Sequence, residues 1–79
     1  MRQKHDTQGQ VAANVRAEVA ANGMTIKQLG EVLGLGERAA SRRWHGEVAY
    51  TLDELAKLGE HFGIPWSEFA KPRRLAVAS

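Results

Sequence analysis

Thr25-Ile26-Lys27-Gln28-Leu29-Gly30-Glu31-Val32-Leu33-Gly34-Leu35-Gly36-Glu37-Arg38-Ala39-Ala40-Ser41-Arg42-Arg43-Trp44-His45-Gly46 holds the start and stop signals of two short helices. Thr25 and Gln28 have the spacing of a capping box, in which the threonine hydroxyl accepts from the amide three residues on and the glutamine reaches back. Ile26, Leu29 and Leu33 fall on one face of the helix that follows. Gly30 sits inside it at a cost of up to about 1 kcal/mol relative to alanine, which points to another helix approaching closely. Gly34-Leu35-Gly36 is the turn, with Leu35 placed to plug the angle between the helices. The next helix spans about 37–45 and stops at Gly46. At about 100° per residue, Arg38, Ser41, Arg42 and His45 share one arc, and Ala39, Ala40 and Trp44 lie on the other side.

Upstream, residues 1–6 are polar and charged and read as a flexible arm. A helix over about 8–22 carries Val11, Val15 and Val19 at four-residue spacing, with Ala12 and Ala20 beside them. Thr7-Gln8-Gly9-Gln10 has the capping-box pattern, and Asn22-Gly23 is a C-terminal stop. Downstream, Glu47-Val48-Ala49-Tyr50 reads as an extended connector. Thr51-Leu52-Asp53-Glu54 is the clearest capping box in the chain, with two acids in the first turn, where the helix dipole favours them. Leu52, Leu55, Ala56, Gly59 and Phe62 form the expected inner face, and Gly63 the stop. Pro65 suits the first turn of a short fifth helix over 65–69, with Ile64, Trp66 and Phe69 closing the core. Pro72 ends regular structure. The expected organisation is an arm (1–6), one all-α, five-helix domain (7–70) and a basic tail (71–79).

The 79 residues suffice for one small domain. Such a domain buries only about 60% of the surface its unfolded chain exposes. There is no cysteine, which excludes disulfides and cysteine zinc sites. No apolar run approaches the ~20 residues of a membrane span, and the first residues lack the apolar segment of a signal peptide. A cytoplasmic protein is therefore expected. His5, His45 and His61 are too dispersed to suggest a metal site. No phosphate loop, nucleophile motif or cofactor fingerprint is present, so neither a cofactor nor an enzymatic activity is expected. The net charge is +2, but its distribution says more. Arg38, Arg42 and Arg43 stand against Glu37 between Gly36 and Gly46, and Lys71, Arg73 and Arg74 lie in the tail. Asp53, Glu54, Glu60 and Glu68 stand against Lys57 over 51–69. This distribution predicts a one-sided positive surface.

Two short helices around a tight turn, with arginines on the outer arc of the second, follow the plan of a DNA-binding helix-turn-helix. Over about 11–69 the chain resembles the lambda-repressor-like, Cro/repressor (XRE-like) type of that domain. The carriers are Thr25, Leu29, Gly30, Leu33, Gly34, Leu35, Ala40, Ser41, Gly46, Thr51, Leu52, Leu55 and the ending Phe62-Gly63-Ile64-Pro65. Ser41-Arg42-Arg43-Trp44-His45-Gly46-Glu47 followed by Thr51-Leu52-Asp53-Glu54-Leu55 is similar to small regulators of actinobacteria and their phages. The resemblance implies a five-helix fold whose third helix enters the major groove, with Glu37, Arg38, Ser41, Arg42 and His45 at the base-facing positions. Two positions depart from the family pattern. Ile26 stands where a phosphate-contacting glutamine is frequent, leaving Lys27 or Gln28 to take over. Arg43 stands where an apolar residue is usual.

Most of these residues have two readings. Arg38 and Arg42 match guanine acceptors or phosphates, or are solvated. Ser41 suits base, phosphate or plain exposure. His45 approaches phosphate or is surface. Glu37 accepts from cytosine or complements the helix dipole. Thr25, Lys27, Gln28, Arg43 and Tyr50 form the expected phosphate-contacting set. Tyr50 has packing on the domain as its alternative; Arg43, on the inward side of the wheel, is expected to snorkel to the rim or to pair with a carboxylate such as Asp53 or Glu54. Trp44 and Trp66 read as core, Trp66 with a dimer contact as alternative. The expected function is sequence-specific binding of a double-stranded DNA operator by a phage-type Cro or repressor. A homodimer on a palindromic site would form through the C-terminal region with Trp66 and Phe69. Two alternatives remain open. One is a recombination directionality factor or other DNA-architectural protein, with 47–50 as a small wing. The other is a protein-interaction module such as an antitoxin, working through Trp66, Phe69 and the tail.

Overall fold

Local signals place the helices almost residue by residue. The computed structural model describes residues 7–72. The expected arm (1–6) and the tail arginines Arg73 and Arg74 lie outside the described residues. Four α-helices follow one another: α1, Thr7–Ala21; α2, Ile26–Leu33; α3, Glu37–Trp44; and α4, Leu52–Phe62. A five-residue 3₁₀ helix, Trp66–Ala70, completes the described chain. Among the described residues there is no strand, and no helix is long and apolar enough to cross a membrane.

Two of the three expected capping boxes form, at Thr25 and Thr51. Thr25 Oγ1 accepts from the Gln28 amide at 3.1 Å while Gln28 Oε1 accepts from the Thr25 amide at 2.9 Å. Thr51 and Glu54 repeat the exchange at 3.0 Å in both directions. At the other ends, Gly23, Gly34, Gly46 and Gly63 adopt left-handed φ values of 65–78°, which glycine alone adopts freely. Leu35 follows Gly34 and returns its amide to the Gly30 carbonyl at 2.8 Å, so it packs against the core at the corner between α2 and α3. Gly30 explains itself there: a Cβ at this position would lie 2.8 Å from the Leu35 carbonyl oxygen and 3.3 Å from Ala40 Cβ.

The core comprises Val11, Val15 and Val19 of α1, Leu29 and Leu33 of α2, Leu55 and Leu58 of α4, and Phe69. Several expectations are corrected. α1 begins at Thr7, so Thr7 lies in its first turn rather than capping it. The fifth helix expected over 65–69 is a 3₁₀ turn, with Pro65 extended (ψ 143°) as its N-cap. It lies tightly against α4, since a Cβ on Gly59 would meet the Ile64 carbonyl oxygen at 2.6 Å. Leu52 is 68% exposed and Ala56 is exposed, whereas Glu54, Leu55, Leu58 and Gly59 face inward. Both stripes obey helical periodicity; the observed one holds a glutamate that finds a partner on α3. Trp66, expected in the core, is 47% exposed, and Phe69 fills that place at 2%.

Candidate nucleic-acid interface

The geometry of α3 follows from how its inner side is held. Ala40 is fully buried against α2, beside Gly30. The side chain of Arg43 is only 16% exposed, against 59% for Arg42 next to it. Arg43 Nε donates to Glu54 Oε1 at 2.9 Å. The C-terminal end of α3 is stapled to α1. Arg16 Nη1 donates to the Trp44 carbonyl at 2.7 Å, and Gln8 Nε2 to the Gly46 carbonyl at 2.6 Å. These bonds satisfy carbonyls that a helix end leaves without partners. Trp44 is half-buried and packs on the core.

With that side fixed, Glu37, Arg38, Arg42 and His45 are exposed and Ser41 is half-buried. The arc expected from helical spacing is thus assembled on the outer side of α3. Arg42 Nε lies 3.8 Å from Glu47 Oε1, with both side chains about three-fifths exposed, a pairing of little energetic weight. Thr25, Lys27 and Gln28 are exposed at the start of α2. The Thr25 hydroxyl and the Gln28 carbonyl oxygen are occupied with each other, which leaves the Lys27 ammonium and the Gln28 amide nitrogen directed to solvent. Ile26 is half-buried.

Two residues of the expected phosphate set are placed elsewhere. Arg43 is committed to Glu54, because a guanidinium on the inner side of α3 is costly without a carboxylate. Tyr50 packs against the core. Its hydroxyl is buried with no hydrogen-bond partner among the described residues, and burial raises its pKa from 10.0 to about 12. Phe69, expected at a contact between copies, is core, so only Trp66 of that pair is exposed. The segment 47–50 forms no wing. The Glu47 and Val48 amides both return to the Arg42 carbonyl, at 2.9 and 3.3 Å, and close the end of α3.

Three supporting residues were not singled out from sequence. Arg16 and Gln8 hold the end of α3 across 28 and 38 residues of chain. Asn14 is buried and donates to the carbonyls of Phe69 at 2.8 Å and Lys71 at 2.6 Å, anchoring the 3₁₀ helix. Its signal was its place on the valine face of α1, three residues after Val11 and next to Val15, where a polar side chain demands a partner.

A hypothetical transcription factor, NHTF, from Neisseria has a similar structure: the TM-score is 0.78 at 16% sequence identity, over 95% of this chain and 88% of that one. The all-helical fold is therefore shared with that protein. No protein-family model matches the chain, and no curated protein matches it in sequence.

Proposed function

We propose that the chain is a sequence-specific, double-stranded-DNA-binding transcriptional regulator of the lambda-repressor-like type. The observation that carries this reading is the outer arc of α3. Arg38, Arg42 and His45 are exposed, with Ser41 between them, on a helix pinned on its inner side to α1, α2 and α4. In this reading α3 lies in the major groove, where the guanidinium fork matches guanine acceptors and Ser41 bonds base or phosphate. Lys27 and the start of α2 grip the backbone, which positions the domain without reading sequence. Repression is then steric, a bound promoter being closed to polymerase, and the role is non-catalytic. The similarity to a hypothetical transcription factor supports the reading at the level of fold.

One such module grips few base pairs, so tight binding calls for two copies on a palindromic site. Leu52 and Trp66 are the large exposed apolar side chains of the described residues, and both line one shallow groove with Val11, Tyr50 and Leu55. We assign the contact between copies to this patch, with Trp66 rather than Phe69 as its anchor. The same patch is what favours the second reading, a protein-interaction module; the arginine arc has no use in that role. The wing needed for the recombination reading has no counterpart here.

Selection of bound sequences from a random duplex pool tests the proposal. A defined half-site, enriched as an inverted repeat, is the expected result. Affinity should also fall steeply with salt. No enrichment and no binding at low salt would overturn it. Arg42→Ala should cost about 1–3 kcal/mol on the enriched site and relax the preference at one position; unchanged specificity removes Arg42 from the readout.

A further inference from the structure

The two capping boxes use different residues at the same position, and the difference has a consequence for α3. In α2 the reciprocating side chain is Gln28, exposed, and its oxygen serves Thr25 alone. A neutral amide is therefore enough to complete a cap in this chain. In α4 the same position is Glu54, buried, and its Oε1 accepts from two elements at once: the Thr51 amide at 3.0 Å and Arg43 Nε at 2.9 Å. The charge at position 54 is not needed for the cap; it answers Arg43.

Among the described residues, the Arg43–Glu54 pair is the side-chain to side-chain bond between α3 and another helix; the other anchors of α3 are packing of Ala40 and Trp44 and bonds to carbonyls at its end. Its N-cap is Gly36, which makes no side-chain bond. Ala40 packs by a single methyl, a non-directional contact. Arg16 and Gln8 hold carbonyls at the C-terminal end only. The Arg43–Glu54 bond is directional and joins the inner side of α3 to the rigid first turn of α4. A rotation of about 10° moves an atom at the edge of a helix, about 5–6 Å from its axis, by about 1 Å. That is enough to break a base-edge hydrogen bond.

We infer that Arg43 and Glu54 are positioning residues that fix the rotation of α3 about its axis and so set which bases Arg38, Ser41, Arg42 and His45 prefer. This rests on the reading of α3 as the helix that meets DNA. Neither residue touches DNA itself. A buried ion pair adds little net stability and is replaceable as a unit, whereas removing one partner is strongly destabilising. The test therefore removes both charges together.

The double variant Arg43→Leu/Glu54→Gln keeps the α4 cap, since glutamine closes the α2 box, and strands no charge. Its affinity is compared with the unsubstituted protein on the enriched site and on random duplex, with thermal unfolding measured in parallel. A merely structural defect lowers both affinities in proportion to the folded fraction. The expected result is random-duplex affinity held within about twofold and enriched-site affinity lowered about tenfold, the equivalent of roughly one base contact. A repeated selection should give a broadened half-site. Arg43→Lys, which keeps a cation facing Glu54, should recover part of the preference. A folded double variant with an unchanged affinity ratio overturns the inference while leaving the DNA-binding role intact. If the unsubstituted protein binds no duplex, both fall. Should the double variant not fold, Arg43→Met/Glu54→Gln, which also strands no charge and fills the space with a more adaptable side chain, is judged by the same ratio.

Discussion

α2 and α4 flank α3 and open alike. Each has a threonine N-cap, a reciprocating residue three positions on, and a hydrophobic residue just before the cap (Met24 and Tyr50) packed against the core. They join α3 by different physics. α2 meets it backbone to backbone, through the gap left by the missing Cβ of Gly30. α4 meets it through one carboxylate oxygen shared between its own cap and Arg43. One local motif thus only starts a helix in the first case and also holds a neighbouring helix in the second. What separates them is burial: an exposed cap ends its influence at the helix it starts, whereas a buried carboxylate must find a cation, and the nearest one lies on α3.

The strongest way to break this contrast is to cut both boxes in the same manner. Glu54→Ala removes half a cap and strands the Arg43 guanidinium, so it should cost about 3–5 kcal/mol in urea unfolding. Gln28→Ala removes half a cap in solvent and should cost about 1 kcal/mol or less. Equal costs would mean that the carboxylate matters only as a cap. Next comes Gly30→Ala. Alanine is the better helix former by about 1 kcal/mol, yet its methyl would overlap the Leu35 carbonyl. A net loss of about 1–3 kcal/mol is expected from such overpacking; a gain would show that α2 and α3 are not held by close approach.

The Tyr50 titration sharpens the α4 side. Tyr50 is the sole tyrosine, so phenolate absorbance reports it directly. Burial favours the neutral phenol, raising its pKa to about 12 in the folded chain against 10.0 ordinarily. The native state then holds a proton that the unfolded state releases. This contribution to stability is full below about pH 10 and is lost as pH rises towards about 12. A folded-state titration near 10 would contradict the packing of Tyr50 ahead of the α4 cap. The smallest effect concerns Glu47, an acid beside the outer arc of α3. Glu47→Gln should change stability by no more than about 0.5 kcal/mol, because its pairing with Arg42 is exposed. It should tighten binding to random duplex slightly by removing a charge that competes with phosphate for Arg42. Unchanged or weaker binding would detach Glu47 from the arc.

Much of the candidate site was legible because its signals are short-range. Arg38, Ser41, Arg42 and His45 were gathered by helical spacing alone, and α3 presents them on its outer side. The face of α4 was misread because Leu52-Leu55-Ala56 and Glu54-Leu55-Leu58 are both regular stripes, and periodicity cannot choose between them. Glu54 was left off the expected inner face although it was one of the two carboxylates offered to Arg43. Trp66 and Phe69 were indistinguishable as core candidates by composition. Their roles separated once Asn14 fixed the carbonyls of Phe69 and Lys71 and so set the path of the 3₁₀ helix.

The sequence by itself determined where helices begin and end and which residues share the outer arc of α3. Caps, left-handed glycines and helical spacing act within a few residues, so no distant partner is needed to read them. The tertiary structure decided which way α4 faces, which aromatic is buried, and that the inward Arg43 meets Glu54 rather than Asp53. Those outcomes hang on bonds between residues 11, 28 and 55 apart in the chain. Their energy comes from the cost of leaving a buried charge or carbonyl without a partner, and that cost exists only once packing has excluded water.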